Sequence, residues 1–535
     1  MSCSKIFSGD LPELTYDIIK YFKNDFSTLH SCILVNRLWC RLAIPLLWEN
    51  PFLIPTENYN IIEFYLNNLN NDLRSKLNEH NIINDNLLPS STLFNYPSFI
   101  KYLNTESIIF FIKKWFETLK PGRRYFLLDS DGHSVIEFKK LINMLLFKLF
   151  IDNEVNLHIF EIEVTDYSSF NLYIDDILEL ILQNPNFINN IKNLKLRIIT
   201  DSSIIIIKLE SIKNHISEII LNSHQILKKF VLGHNRSFSL YQSLLLSNNF
   251  SNSLNTIVFY YIKFHDIVIN LDKVFEQLNV LESVHIINCY SLNNFIQQII
   301  NLTKPFKLKS LFLSEVIKIE LLELFLQKSG GYLENFGYCF LYADNADNDL
   351  QLKKLLELIL KYCKNIKLLD LYHFKNQFNY LVLNLIENMR QKLNYLTIDI
   401  LYNTEPNSII LRNLGQNLPL KLEYLCLNFN ISTNDFEIFL KNSQNTFINK
   451  LLINNISRDH DNNILPCIKE NIIKKKRVKY LAIMDSVIDQ YDTISESIEL
   501  FSLEDEVKEF EFYNIIVREY NDLKIYFNDI SFEKI

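Results

Sequence analysis

One pattern of apolar residues, repeated thirteen times, constrains the fold of this 535-residue chain more than any other feature. Each copy has apolar side chains at offsets zero, three and five, which suits a short strand whose alternate side chains point inward. Between the copies the apolar spacing becomes helical, as at Leu271, Val274, Phe275 and Leu278. The first anchors of the copies are Leu157, Ile191, Leu227, Leu254, Leu281, Leu308, Leu333, Ile366, Leu393, Leu422, Ile448, Val478 and Val507. Their mean spacing of about 29 residues predicts one strand and one helix in each unit.

A strand followed by a helix at this spacing resembles the leucine-rich repeat. One such unit cannot bury its own apolar face, but stacked neighbours build a continuous core. We therefore expect an α/β leucine-rich-repeat solenoid, a horseshoe of parallel strands and helices, over residues 151–535 with about 13 repeats. The polar residue of the family's turn is kept at Asn235, Cys289 and Asn430 but replaced at Ile262 and Leu341, which predicts irregular turns. Isolated copies arise by accident in any Leu- and Ile-rich chain, whereas a near-periodic series with helical spacers does not.

Residues 1–50 lack this pattern and contain Pro and Trp at fixed places. Their motif residues are Leu11-Pro12-Glu13-Leu14, Ile18-Ile19, Phe22, Val35-Asn36-Arg37-Leu38-Trp39 and Leu47-Trp48. Their order and spacing resemble the F-box family. The main departure is the family's Asp-Leu step, which is spread here over Asp25 and Leu29. The resemblance implies a small all-α module of three helices.

Residue patterns alone also favour short amphipathic helices in this segment. Leu14, Ile18, Ile19 and Phe22 form one apolar face. Three short helices in so few residues cannot bury a core of their own, so the module needs a partner. That partner is either another protein or the following domain, in which case the module caps the amino end of the solenoid.

The F-box resemblance implies the substrate-receptor subunit of an SCF-type cullin–RING ubiquitin ligase. Such a subunit is not an enzyme: it binds a Skp-type adaptor, through it a cullin, and a target protein through its repeats. The resemblance assigns adaptor binding to Leu11, Pro12, Leu14, Ile18, Ile19, Val35 and Trp39. It also implies a monomer within a larger complex, in the cytoplasm, the nucleus or both. The alternative is a stand-alone leucine-rich-repeat scaffold without a ligase.

Residues 51–150 fit neither part. Apolar spacing predicts helices over 61–69, 108–119 and 135–149. We interpret the segment as a helical connector that becomes the first, irregular turns of the solenoid.

Composition and motifs exclude several other classes. Eight glycines in 535 residues disfavour phosphate-binding loops, and a net charge of −8 argues against nucleic acid as a partner. No apolar run is long enough to span a membrane. Residues 129–133 are better explained as a polar turn than as a calcium loop, so we expect no metal and no cofactor. The basic run at residues 474–477 is either a nuclear signal or, as we favour, a solvated end of a helix.

A stripe of tyrosines with acidic and amide neighbours is the candidate contact surface for a target protein. In the strand pattern, offsets two, four and six are expected on the concave face. The candidate residues there are Asp370, Tyr372, Tyr395, Asp399, Tyr424, Asn428 and Tyr480. Tyrosine is favoured in binding surfaces because it gives large contact area at low entropy cost. A chain with 27 tyrosines, however, places some of them on every surface.

Overall fold

The protein is an α/β protein in which helices alternate with the strands of a long, mostly parallel sheet, preceded by a helical region. The computed structural model describes residues 12–23, 25–53, 59–78, 93–119, 133–165, 171–187, 189, 191–199, 211–212, 214–216, 218–219, 228–235, 251–266, 270–315, 317–339, 346–400, 408–457, 464–473, 477–488 and 494–525. The chain divides into two compact units, Met1–Ile257 with Gln277–Val280 and Val258–Glu276 with Leu281–Ile535.

The first unit is helical before its strands begin. Its described helices are α1 (Pro12–Lys20), α2 (Phe26–Ile33), α3 (Arg37–Leu47), α4 (Ile61–Leu66), α5 (Asn71–Asn78), α6 (Thr105–Thr118), α7 (His133–Asp152) and α8 (Asn171–Leu182). Its strands are β1 (Tyr102–Asn104), β2 (Ile159–Thr165), β3 (Asn193–Ile199) and β4 (Lys229–Asn235), which pair in parallel in chain order. Helices α4, α6 and α7 confirm the three that apolar spacing predicts in residues 51–150.

Helices α1 to α3 share a small buried core. Polar side chains define where two of these helices start: Asp25 accepts from the Thr28 N–H at 3.0 Å, and Asn36 accepts from the Trp39 N–H at 2.9 Å. The buried residues of the cluster are Ile19, Leu29, Cys32, Trp39, Ala43 and Leu46. The expectation of a helical module at the amino end is confirmed, but the expectation that it buries no core of its own is wrong.

Glu49 joins this three-helix cluster to the first strand. Its backbone carbonyl accepts from the Lys101 and Tyr102 N–H groups at 3.0 and 3.2 Å. Its carboxylate is almost fully buried, lies 2.6 Å from Lys23 Nζ through Oε2, and pairs with Lys101 through Oε1. Burial alone would raise the pKa of Glu49, but the two lysines outweigh it and hold the pKa below its usual range.

We expect Glu49→Gln to lower the free energy of unfolding by about 2 kcal/mol at pH 7, because two ammonium groups lose their anion. Since the pKa of Glu49 is depressed in the folded chain, its contribution is present above the unfolded value of 4.5 and is lost as the pH falls through the folded value. Urea unfolding at pH 7 and pH 3 measures both effects. Glu117→Gln, at an exposed pair, is the control; a difference between Glu49→Gln and wild type that does not shrink from pH 7 to pH 3 would contradict the assignment.

The second unit continues the alternation. Its helices are α9 (Leu271–Gln277), α10 (Leu292–Ile299), α11 (Ile319–Ser329), α12 (Ala346–Tyr362), α13 (Asn379–Met389), α14 (Ser408–Asn417), α15 (Thr433–Asn442), α16 (Leu465–Ile468), α17 (Glu504–Phe512) and α18 (Tyr520–Leu523). Its strands are β5 (Thr256–Ile262), which begins at the unit boundary, β6 (Ser283–Ile287), β7 (Leu308–Leu313), β8 (Asn335–Cys339), β9 (Leu368–Phe374), β10 (Tyr395–Ile400), β11 (Lys421–Phe429), β12 (Phe447–Ser457), β13 (Val478–Ile488), β14 (Ile494–Glu499) and β15 (Ile516–Val517). Strands β6 to β13 pair in parallel in chain order. The outer edge of β13 pairs with β15 near its start and, antiparallel, with β14 near its end.

The apolar anchors explain the register of the strands. Strands β2 to β13 contain the second and third anchors of the first twelve triplets, so these twelve predictions of a strand are confirmed. From β7 onward the second anchors lie opposite one another: Leu311, Phe336, Leu369, Leu396, Leu425, Leu451 and Leu481. Each of them is fully or almost fully buried. Because strand side chains alternate, the residues between the anchors form the opposite face of the sheet.

Two expectations about the carboxyl-terminal part are wrong. The thirteenth triplet, which starts at Val507, lies in helix α17 rather than in a strand. Arg477 is not solvated: its side chain is 6% exposed and donates to the Ser443 and Leu440 carbonyl oxygens at 2.5 and 3.0 Å. Residues 474–476 of the same basic run lie outside the described residues.

Helices α14 and α15 approach closely at Gly415. A Cβ added there would lie 2.7 Å from the Phe439 carbonyl oxygen and 2.9 Å from Asn442 Cβ. One contact is with backbone, so a larger residue would have to push the helices apart. Glycine is rare in this chain, and at this position packing requires it.

Candidate functional site

The residues that the sequence assigns to adaptor binding differ widely in exposure. Leu14 in α1 and Val35 between α2 and α3 are 41% and 48% exposed. Pro12 is also exposed and Ile18 is half-buried, whereas Ile19 and Trp39 belong to the core of the three-helix cluster. Leu11 lies outside the described residues. Ile19 and Trp39 therefore hold the cluster together.

Two further apolar side chains of the same cluster are exposed. Leu34 is 75% exposed and Tyr21 is 92% exposed. Sequence reasoning did not single them out as surface residues, because Leu34 fits the apolar helical spacing. Contiguous exposed apolar side chains mark interaction surfaces, and Leu34 is adjacent in sequence to Val35.

The residues assigned to target binding lie on the anchor-free face of β9 to β13. Tyr395 is paired with Tyr424 in the register of β10 and β11, and their ring centroids are 6.4 Å apart. Asp370 is paired with Thr397, and Asp399 with Asn428. Tyr480 lies two strands from Tyr424, and Lys450 of β12 lies between them in register. The structure therefore brings the predicted residues together on neighbouring strands.

A pair of buried carboxyl groups lies at the centre of this face. Asp370 and Asp399 are 6% and 2% exposed. Asp399 accepts from the Asn428 amide and from the His373 N–H, the latter at 3.3 Å, and the His373 ring Nδ1 is 3.5 Å from Asp399 Oδ1. His373 has a φ of 56°, in the left-handed region that a histidine rarely adopts. Asp370 Oδ1 is buried and has no hydrogen-bond partner.

The buried position makes both carboxyl groups weak acids for aspartates. Burial and, to a smaller extent, the neighbouring Asp399 raise the pKa of Asp370 to about 8, although a hydrogen bond with Thr397 opposes the shift. Burial also raises the pKa of Asp399, although the charge of His373 opposes the shift. A cation lowers the pKa of both groups, and that cation is Lys524 from the carboxyl-terminal segment.

The segment of residues 520–525, which includes α18, covers this face. Tyr520 and Leu523 are buried in one cluster with Tyr424, Cys426 and Leu452. The Tyr520 hydroxyl lies 3.3 Å from Cys426 Sγ. The candidate contact surface is therefore covered here, and Tyr424 is only 1% exposed.

Polar contacts hold both ends of the covering segment. At its start, the Tyr520 N–H donates to Glu499 Oε2 at 3.0 Å. At its end, the Ile525 N–H donates to the Tyr424 hydroxyl at 3.2 Å. Lys524 Nζ lies 5.6 Å from the ring centroids of both Tyr372 and Tyr520, within the range of a cation–π interaction. One tyrosine of the strands and one of the segment therefore lie within reach of the ammonium group.

Among the described residues, no group of three or more His, Cys, Asp or Glu side chains could hold a metal ion. Of the polar turn proposed at residues 129–133, residues 129–132 lie outside them, and His133 is the first residue of α7. None of the helices in the described ranges is long and apolar enough to cross a lipid bilayer. No protein-family model matches the chain, and no curated protein matches it.

Proposed function

We propose that this protein is a leucine-rich-repeat solenoid with an F-box-like module, and that it acts as the substrate-receptor subunit of an SCF-type cullin–RING ubiquitin ligase. Residues of the three-helix cluster bind a Skp-type adaptor, and the anchor-free face of the strands binds a target protein. The observation that carries the adaptor assignment is the set of exposed apolar side chains on the cluster, which includes Leu14 and Val35. These belong to the motif that resembles an F-box.

The proposed subunit makes and breaks no covalent bond. It holds a target near the conjugating enzyme, which raises the local concentration of the target's lysines. In the first unit, Glu49 and its two lysines fix the cluster to β1. The proposed location is the cytoplasm, the nucleus or both.

A second candidate function is a stand-alone scaffold in which α1 to α3 only cap the first strands. The same Glu49 contacts favour it, because they attach the cluster to the sheet as a cap would be attached. The two candidates differ in what the exposed apolar residues do. A cap gains no stability from leaving Leu14 and Val35 exposed to water, whereas an adaptor-binding site buries both side chains against the adaptor.

The double variant Leu14→Glu with Val35→Glu is expected to reduce adaptor affinity at least 100-fold, because each charge would be buried against an apolar partner surface. The measurement is a pull-down of the full chain with a Skp-type adaptor, followed by titration. Both positions are partly exposed, so the fold is expected to survive. Substitution of the buried Ile19 would not separate binding from folding.

The matched control is His30→Glu, at an exposed position of α2 that the resemblance does not assign to the adaptor. It is expected to bind like the wild type. If the wild-type chain does not bind an adaptor, or if the double variant binds it equally well, the receptor function is wrong and the scaffold remains.

A further inference from the structure

We propose that the anchor-free face of β9 to β13 is a binding site for a peptide with an aromatic residue followed four positions later by a lysine, and that residues 520–525 are its built-in occupant. A target protein with such a sequence displaces this segment. The inference rests on the proposed target-binding role of the strands and is independent of adaptor binding.

The contacts of the segment define what the site recognises. Tyr520 fills an apolar pocket with Tyr424, Cys426 and Leu452, and Leu523 packs in the same cluster. One helical turn, α18, separates Tyr520 from Lys524, and the Lys524 N–H donates to the Tyr520 carbonyl at 3.0 Å. The site therefore recognises an aromatic ring and an ammonium group that a single turn holds together.

The carboxyl groups below the segment favour a cation there. Asp370 and Asp399 are both more than nine-tenths buried, and Asp370 Oδ1 lacks a hydrogen-bond donor. A negative charge is costly to bury unless it is paired, and the charge of Lys524 offsets part of that cost at both groups. A peptide with an acidic or neutral side chain in place of Lys524 would not offset it, so the site favours a peptide that carries a cation.

The segment is suited to displacement because it is short. Helix α18 has four residues, and the preceding strand β15 pairs with β13 over only two residues. Helices this short are not stable by themselves, so the segment keeps its shape through the face that it covers. A competing peptide of the same chemistry replaces these contacts one for one.

A charge reversal in the full-length chain tests the site. The variant Lys524→Glu replaces the ammonium group with a carboxylate beside the buried Asp370 and Asp399, which expels the segment while leaving Tyr520 and Leu523 intact. The probe is a fluorescein-labelled peptide with the sequence of residues 518–525, measured by fluorescence anisotropy. We expect it to bind the variant at least tenfold more tightly than the wild type, because the site of the wild type is occupied.

Two controls test whether the effect comes from the charge at position 524. Lys508→Glu, in α17, changes the net charge equally at a side chain that is 68% exposed, and it is expected to bind the probe like the wild type. A second peptide with Glu in place of Lys524 is expected to bind the Lys524→Glu chain at least tenfold more weakly than the first peptide.

A second variant, Tyr520→Ala, removes the aromatic anchor instead of the cation and is expected to raise probe affinity in the same direction. The proposal is overturned if neither variant binds the probe more tightly than wild type, or if the two peptides bind equally. Adaptor affinity, measured on the same preparations, is expected to stay unchanged. Absence of adaptor binding alongside the expected peptide binding would contradict only the ligase assignment.

Discussion

Arg477→Ala is expected to lower the free energy of unfolding by about 3 kcal/mol, because two carbonyl groups lose the hydrogen bonds that the buried guanidinium donates to them. These carbonyls belong to Leu440, in the last turn of α15, and to Ser443 just beyond it. Helix ends leave such oxygens without an intrahelical partner. A positive charge at this end also interacts favourably with the helix dipole. Chemical denaturation at pH 7 measures the loss.

Lys479→Ala is the matched control, since Lys479 is an exposed basic residue two positions later in β13. It is expected to change stability by less than about 0.5 kcal/mol. Arg477→Lys keeps the charge but cannot reach two carbonyl oxygens with a planar fork, so an intermediate loss is expected. Equal stability of Arg477→Ala and wild type would contradict the capping role.

Asp370→Asn is expected to raise the free energy of unfolding at pH 8 by about 3 kcal/mol, because the wild type must then bury a carboxylate. The pKa of Asp370 rises from 3.8 in the unfolded chain to about 8 in the folded chain. Its favourable contribution is therefore complete below pH 3.8 and is lost as the pH rises through about 8. Asparagine does not titrate, so this loss is absent from the variant.

Thermal and chemical unfolding of both chains at pH 5 and pH 8 measure this effect. The stability difference between the variant and the wild type is expected to grow from pH 5 to pH 8. Asp505→Asn, at a fully exposed side chain, is the control and should leave the pH dependence unchanged. A variant that is less stable than wild type at pH 8 would mean that Asp370 is ionised and well paired with Lys524.

Local sequence patterns predict the strands well, but they fail where a strand and a helix fit the same spacing of apolar residues. The anchors of the first twelve triplets alternate along strands because the spacing from second to third anchor is two residues. In the thirteenth, Val507 and Phe510 are also one helical turn apart. Three acidic residues, Glu504 to Glu506, precede them and favour the start of a helix. Helix α17 results, and Phe512 is left exposed.

The sequence likewise predicts one part of the candidate site and not another. Strand alternation predicts that Tyr395, Tyr424 and the two aspartates share a face, and the register of β9 to β11 places them there. It does not predict the segment that covers them. The contact between Ile525 and Tyr424 joins residues 101 positions apart, and no local pattern encodes such a contact. The sequence alone therefore does not predict how exposed each tyrosine is.

Strand β13 has eleven residues whose outer edge could otherwise accept a strand from another molecule. Strands β15 and β14 occupy the two ends of that edge. Among the described strands, β14 is the last at this end of the sheet. It has six residues and carries Glu496 and Glu499, so identical chains that met there would bring like charges together. A short, charged edge strand of this kind disfavours the addition of further copies.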